Sequence, residues 1–183
     1  MNADRTLREA QTQFLTANGL PADGGEQART WNCRIGPITL TLPNFEWRKR
    51  AIVRHDLHHV ITGYECGIVG EFEMAAWEFA AGPFDHVCAT AFCLPLVTMG
   101  AVVAPRRTFA AFMRGRDSET LYGSPISDAL LNMPLQAAQR LFAPLEVRPA
   151  RAADRTAFLI LATQGAAIMA FPALAGLLAL VVL

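Results

Sequence analysis

The sequence predicts an all-α protein, a helical bundle followed by a carboxy-terminal apolar helix. Two patterns carry that expectation. Apolar residues at helical spacing recur between breaks marked by glycine and proline, and no internal repeat or low-complexity tract interrupts them. The last 27 residues, 157–183, contain no ionisable side chain, and about 20 apolar residues suffice for a helix to cross the hydrocarbon core of a bilayer.

Composition bounds the function. The chain has 183 residues, the size of one domain, with 52% apolar and only 17% charged residues; an average soluble domain has about 25% charged. A mainly disordered chain is thereby excluded. Sixteen basic and sixteen acidic residues cancel, so the chain lacks the positive excess that a nucleic-acid binder uses to displace phosphate counterions. Cys33, Cys66, Cys88 and Cys93 form no CxxC pair. They read as free thiols in a reducing compartment rather than as a disulfide framework.

The amino-terminal segment, 1–43, opens with a short amphipathic helix over 2–18, closed by Asn18 and Gly19. Asp4 and Glu9 and the lack of an apolar core make its start neither a secretory signal nor a transit peptide. A turn-rich connector, 21–25, leads to a weakly alternating stretch, 31–42, that is either irregular extended chain or a small hairpin. Pro43-Asn44 then starts a helix over 45–62, with Asn44 as N-cap and Gly63 as its stop. A second helix runs from about 70 to 82. Residues 85–104 carry no charge after His86 but contain Pro95 and Gly100; they read as a central core helix or a membrane-contacting one. A basic amphipathic helix over 105–117 and a helical region over 124–145 complete the body, 44–148.

The final segment, 156–183, reads as a membrane anchor with Pro172 as a kink. Arg148, Arg151 and Arg155 just before it hold the body on the cytoplasmic side. The alternatives are a buried core helix and a hairpin folded back at Pro172.

Three of the four histidines fall within Arg54-His55-Asp56-Leu57-His58-His59. At about 100° per residue, His55, His59 and Asp56 sit near 0°, 40° and 100° around a helix. Val53, Leu57, Val60 and Ile61 occupy a separate apolar face. A histidine pair at i, i+4 is a helical device for a divalent metal. His58, near about −60°, is left out of the ligand set and read as lying behind the ligands or at the surface. After the glycine-rich connector 63–70, Glu71 opens the next helix and can point back at the histidines. Two neutral histidines, Asp56 and Glu71 around a divalent ion give a neutral site, which matters where an uncompensated buried charge costs several kcal/mol.

His55-Asp56-x-x-His59, then eleven residues, then Glu71 resembles the HDxxH-x11-E signature of the Coq-four family of ubiquinone (coenzyme Q) biosynthesis. The run from His55 to Tyr64 resembles that family's HDxxHVLTGY segment, and Gly70-Glu71 its GE opening of the following helix. Arg114-Gly115-Arg116 is similar to its RRGRRA region, and Met133 to Leu141 to its late PLxxxR helix. The resemblance spans about residues 44–148. It implies an all-helical protein with a bound divalent metal, usually zinc, held here by His55, Asp56, His59 and Glu71. It also implies a hydrophobic cavity for an isoprenoid or quinone-like lipid.

The implied role lies at the cytoplasmic face of the membrane that makes ubiquinone. There the family organises other biosynthesis proteins and acts in oxidative decarboxylation at C1 of a polyprenylated hydroxybenzoate. Implied partners are the polyprenyl precursor, the other ubiquinone biosynthesis proteins and the membrane; a homo-oligomer is compatible with them. In that chemistry a metal stabilises the charge that develops as carbon dioxide leaves, and Asp56 serves as catalytic base or proton shuttle. The stretch 92–104 is expected to line the lipid cavity or to be plain core. Two other functions compete. One is a non-catalytic membrane scaffold with a structural metal. The other, weaker one is a metal-dependent hydrolase, in which Asp56 is one methylene shorter than the base glutamate of a zincin.

Overall fold

The computed structural model describes the backbone of residues 5–35 and 38–182 and, within it, all side chains but those of 33–35, 38 and 172–182. It is mostly helical: α1 (Leu7–Ala17), a hairpin of β1 (Thr30–Ile35) and β2 (Ile38–Pro43), then α2 (Glu46–Thr62), α3 (Ile68–Ala81), α4 (Val87–Val103), α5 (Pro105–Gly115), α6 (Asp128–Leu131), α7 (Leu135–Phe142) and α8 (Ala152–Val182). The all-α expectation holds for the body. The stretch at 31–42 is the small hairpin of its two readings, antiparallel with Thr30 opposite Pro43 and Ile35 opposite Ile38.

Helix α1 begins with a capping box: the Thr6 hydroxyl accepts from the Glu9 N–H, and Glu9 accepts from the Thr6 N–H. An isolated bridge joins Thr6 to Pro134; in it Leu7 N–H donates to the Met133 carbonyl at 2.9 Å and Leu135 N–H to the Arg5 carbonyl at 2.8 Å. Asn44 is not the cap of α2. The cap position is Phe45, without a side-chain bond. Asn44 is buried, and its amide donates to the carbonyls of Gly25 and Ala28 while its oxygen accepts from Arg48. The carbonyls of the preceding loop outcompete the helix start for this side chain.

Helix α2 ends at Gly63, left-handed with φ 78°, as the sequence predicts. Helix α3 starts at Ile68, ahead of the expected position, because the connector folds tightly onto its first turn. A Cβ on Gly70 would lie 1.9 Å from the Glu65 carbonyl oxygen. The register of α3, and with it the place of Glu71, depends on that glycine.

The core gathers Leu57 and Ile61 of α2, Met74 and Trp77 of α3, Val97 of α4, Phe112 of α5 and Phe158 of α8. Fully burying a side chain of this size contributes about 1.5–3 kcal/mol. Helices α3 and α5 approach closely at Gly115, where a Cβ would meet the Trp77 carbonyl oxygen at 2.4 Å. Arg107 clamps the same pair with two bonds to Glu73, 2.9 and 2.7 Å. The helix read over 85–104 is α4, which runs continuously through Pro95. The helical region 124–145 consists of two short helices, α6 and α7.

The membrane-anchor expectation for 156–183 falls only in part on described residues. Among the described residues no helix is long and apolar enough to cross a membrane. The described part of the uncharged run, 157–171, is too short to span, and it is docked on the protein itself. Thr98 of α4 donates to the Ala162 carbonyl at 2.6 Å, and a Cβ on Gly165 would lie 2.3 Å from the Leu94 carbonyl oxygen. Helix α8 continues past Pro172. The side chains of 172–182 and all of residue 183, which the anchor expectation also covers, lie outside the described set.

Candidate metal centre

Helix α2 turns His55 and His59 toward the first turn of α3. Their Nε2 atoms lie 3.1 Å apart. Glu71 reaches both, with Oε2 3.2 Å from His55 Nε2 and Oε1 3.4 Å from His59 Nε2. One ligand-type atom from each of the three residues lies within 4.8 Å of the others. Ligand atoms about 2.1 Å from zinc in a tetrahedral site are separated by about 3.4 Å. The spacing of this donor set therefore fits a divalent ion of that size.

The other ring nitrogens are already engaged. His59 Nδ1–H donates to the Tyr64 carbonyl at 2.9 Å, and His55 Nδ1–H donates to Glu78 Oε1 at 3.1 Å. A carbonyl and a carboxylate can only accept, so each Nδ1 carries a proton, and each Nε2, turned toward Glu71, is the nitrogen that either holds a second proton or gives its lone pair to a metal. Metal-binding histidines are held in this manner, by an acceptor at the nitrogen away from the metal.

Charge in the cluster is dense. Burial disfavours the His55 cation, but the carboxylates of Glu78 and Glu71 outweigh it and hold the imidazole pKa well above its ordinary value. A proton and a divalent ion thus compete for the same Nε2. Burial also works against the Glu71 carboxylate, yet hydrogen bonds from His55 and His59 bring its pKa down to about 2.

Asp56 stands apart from the other three expected ligands. It is 4% exposed, its Oδ2 has no hydrogen-bond partner, and it is absent from the group of converging donors. Burial pushes its pKa up to about 6. The connector before the hairpin is seated on it, so that a Cβ on Gly24 would lie 2.5 Å from Oδ2. Asp56 nonetheless lines the same cavity as the donors.

That cavity holds about 320 Å³ and is lined by His55, Asp56, His59 and Glu71 together with Trp31, Trp47, Phe84, Phe92, Leu96 and Tyr122. It is at the lower end of the range for small-molecule sites, roughly 300–1,000 Å³. From the stretch 92–104, Phe92, Cys93 and Leu96 face the cavity, whereas Val97 is core and Gly100 packs on Thr108 and Phe72. Met74 and Trp77 are core residues. A larger cleft of about 590 Å³ near Arg114 and Arg140 contains no such donor group. Arg114 itself donates to the carbonyls of Thr62, Ala143 and Pro144 and so ties α2 to the end of α7.

Sequence reasoning missed Glu78 and left His58 between two readings. His58 is fully buried behind the ligands. Its Nδ1–H donates to Glu78 Oε1 at 2.7 Å, and its Nε2 accepts the Leu121 N–H at 2.8 Å. Glu78 follows Glu71 by seven residues, about two helical turns, and that spacing was the available signal.

No family model, no curated protein and no solved structure matches this chain.

Proposed function

We propose that this chain is a metal-dependent protein of ubiquinone synthesis, acting at oxidative decarboxylation of C1 on a polyprenylated hydroxybenzoate. The observation that carries the proposal is the convergence of His55, His59 and Glu71 at zinc-like spacing on the wall of an aromatic-lined cavity. The Coq-four-like signature falls on those residues.

His55, His59 and Glu71 would hold the ion, with Asp56 in the wall of the same cavity. When bound, a divalent ion such as zinc supplies Lewis-acid stabilisation of an oxygen anion on the ring. The chain's own residues do the rest. Trp31, Trp47 and Phe92 flank the aromatic ring and exclude water. Asp56, at a pKa of about 6, is suited to take up and return a proton near neutral pH. The reaction removes carbon dioxide and installs a hydroxyl, so an oxidant comes from outside this chain.

The same reading places the protein at the cytoplasmic membrane face, beside the other ubiquinone biosynthesis proteins. Leu159, Ile160, Met169 and Phe171 on α8 are exposed apolar side chains, of the kind that contact lipid or a partner protein. A metal-bearing scaffold that binds isoprenoid lipid without catalysis is the second reading, favoured by the same α8 surface.

The test is a quinone-lipid profile by mass spectrometry of the source organism with this gene deleted, then complemented with wild type or His59→Ala. Loss of ubiquinone with accumulation of a carboxylated polyprenyl precursor, rescued only by wild type, is expected. An unchanged profile would overturn the proposal. Full rescue by His59→Ala would remove the metal from it.

A further inference from the structure

Glu78 lies on α3 and is fully buried. One of its oxygens, Oε1, accepts from three side chains: His55 Nδ1–H at 3.1 Å, His58 Nδ1–H at 2.7 Å and the Tyr122 hydroxyl at 2.9 Å. The other oxygen, Oε2, is buried without a partner. A carboxylate with no exposure and no arginine or lysine against it is an expensive group to retain for packing alone. Every hydrogen bond it has converges on a single oxygen, and one of those donors is a proposed metal ligand.

We infer that Glu78 is a positioning residue of the metal centre, fixing His55 with its proton on Nδ1 and its Nε2 lone pair toward Glu71 and His59. The inference rests on the metal reading above and deepens it. His55 Nδ1 has no other acceptor among the described residues, so without Glu78 its tautomer and ring rotation are not fixed. His59 is fixed independently, through the Tyr64 carbonyl. His58 and Tyr122 play a different part: their hydrogen bonds hold Oε1 in place. His58 is itself anchored by the Leu121 N–H, which connects the metal centre to the chain beyond α5. The negative charge of Glu78 also makes up for what Glu71 alone leaves unbalanced beside a divalent ion and two neutral imidazoles.

The discriminating variant is Glu78→Gln. Its amide has nearly the same shape, but it puts an NH2 donor in place of one oxygen and a neutral, weaker acceptor in place of the other, so the charge-assisted hold on His55 Nδ1–H is lost. The probe is cobalt(II), titrated into the full chain and read by its visible absorption, with helical content and metal-free melting temperature recorded alongside. Wild type is expected to bind one cobalt ion. Glu78→Gln is expected to melt within a few degrees of wild type and to bind cobalt about 10–100-fold more weakly, the usual effect of losing such a supporting carboxylate. Glu78→Asp, which keeps the charge, is expected to recover part of that loss. Equal affinity in wild type and Glu78→Gln would overturn the inference and leave the metal reading standing. No cobalt binding by wild type would remove the metal reading itself.

A second measurement does not depend on whether the variant folds. Long-range nitrogen–proton spectra of the metal-loaded wild type are expected to show His55 protonated at Nδ1 and ligated through Nε2. Ligation of His55 through Nδ1 would overturn the inference, because Glu78 would then have no proton to accept.

Discussion

His58 Nε2 accepts the backbone N–H of Leu121 at 2.8 Å. The bond makes a histidine from the middle of the ligand cluster into a support of the fold. Leu121 is buried, and its N–H is satisfied by this ring. His58→Phe keeps the bulk but leaves that N–H orphaned and takes a donor from Glu78. Each buried group left unsatisfied costs about 1–3 kcal/mol, so a loss of roughly 2–4 kcal/mol is expected in urea denaturation. An unchanged midpoint would show that the bond is dispensable.

Gly24 adopts φ +63° directly over Asp56. Gly24→Ala adds the cost of a left-handed conformation for a residue with a Cβ, about 1–2 kcal/mol, and pushes a methyl toward a buried carboxylate. The melting temperature is expected to fall by several degrees, with the loss smaller in Gly24→Ala/Asp56→Ala, where the carboxylate is gone. Equal losses in both backgrounds would mean that the contact is not felt.

The start of α8 is tied down by charge. Asp154 accepts two bonds from the Arg148 guanidinium, both 2.7 Å, and one from the Arg151 N–H at 2.9 Å. The Arg148 hydrogen bonds, then the backbone bond, hold its pKa below the ordinary 3.8. A carboxyl group with a depressed folded pKa contributes stability that is complete above its unfolded value and is lost as pH falls below it. Melting temperature is therefore expected to drop below about pH 4 more steeply in wild type than in Asp154→Asn, which should start lower at pH 7. Parallel acid limbs in the two proteins would contradict this.

The described thiols differ in environment. Cys88 is exposed. Burial raises Cys66 to about 11 and drives Cys93 well above its ordinary value. The thiolate is the reacting form. In a Cys33→Ser background, maleimide at pH 7.5 is expected to label Cys88 at least about tenfold faster than Cys66 or Cys93. Rapid labelling of Cys93 in the folded protein would show that the cavity wall opens.

The readable parts of this molecule are those set by local geometry. The i, i+4 spacing puts His55 and His59 on one stripe, and Gly63 ends α2 through a conformation few other residues adopt. Glycine flanks around Glu71 announced a chain reversal that brings it back to the stripe. What escaped the reading depends on who else arrives. A helical wheel gives the direction of His58 but not that Leu121 and Glu78 wait there. Asp56 shares the sector of the histidines, yet at about 100° from His55 it faces the connector and Gly24 rather than the donor cluster. Asn44 carries the composition of a cap and is drawn off by loop carbonyls. Composition shows the length of the uncharged run but not that Gly165 and Thr98 fit its described part, 157–171, onto α4.

The central claim is a metal centre built from His55, His59 and Glu71. Its most direct test is the metal content of the full chain after exchange with a modest excess of zinc and desalting, compared with His59→Ala and Glu71→Gln. About one zinc per wild-type chain, retained against a weak chelator and lost in both variants while their helical content is unchanged, is the expected result. A folded wild-type chain that retains no zinc, cobalt or other divalent ion would contradict the claim.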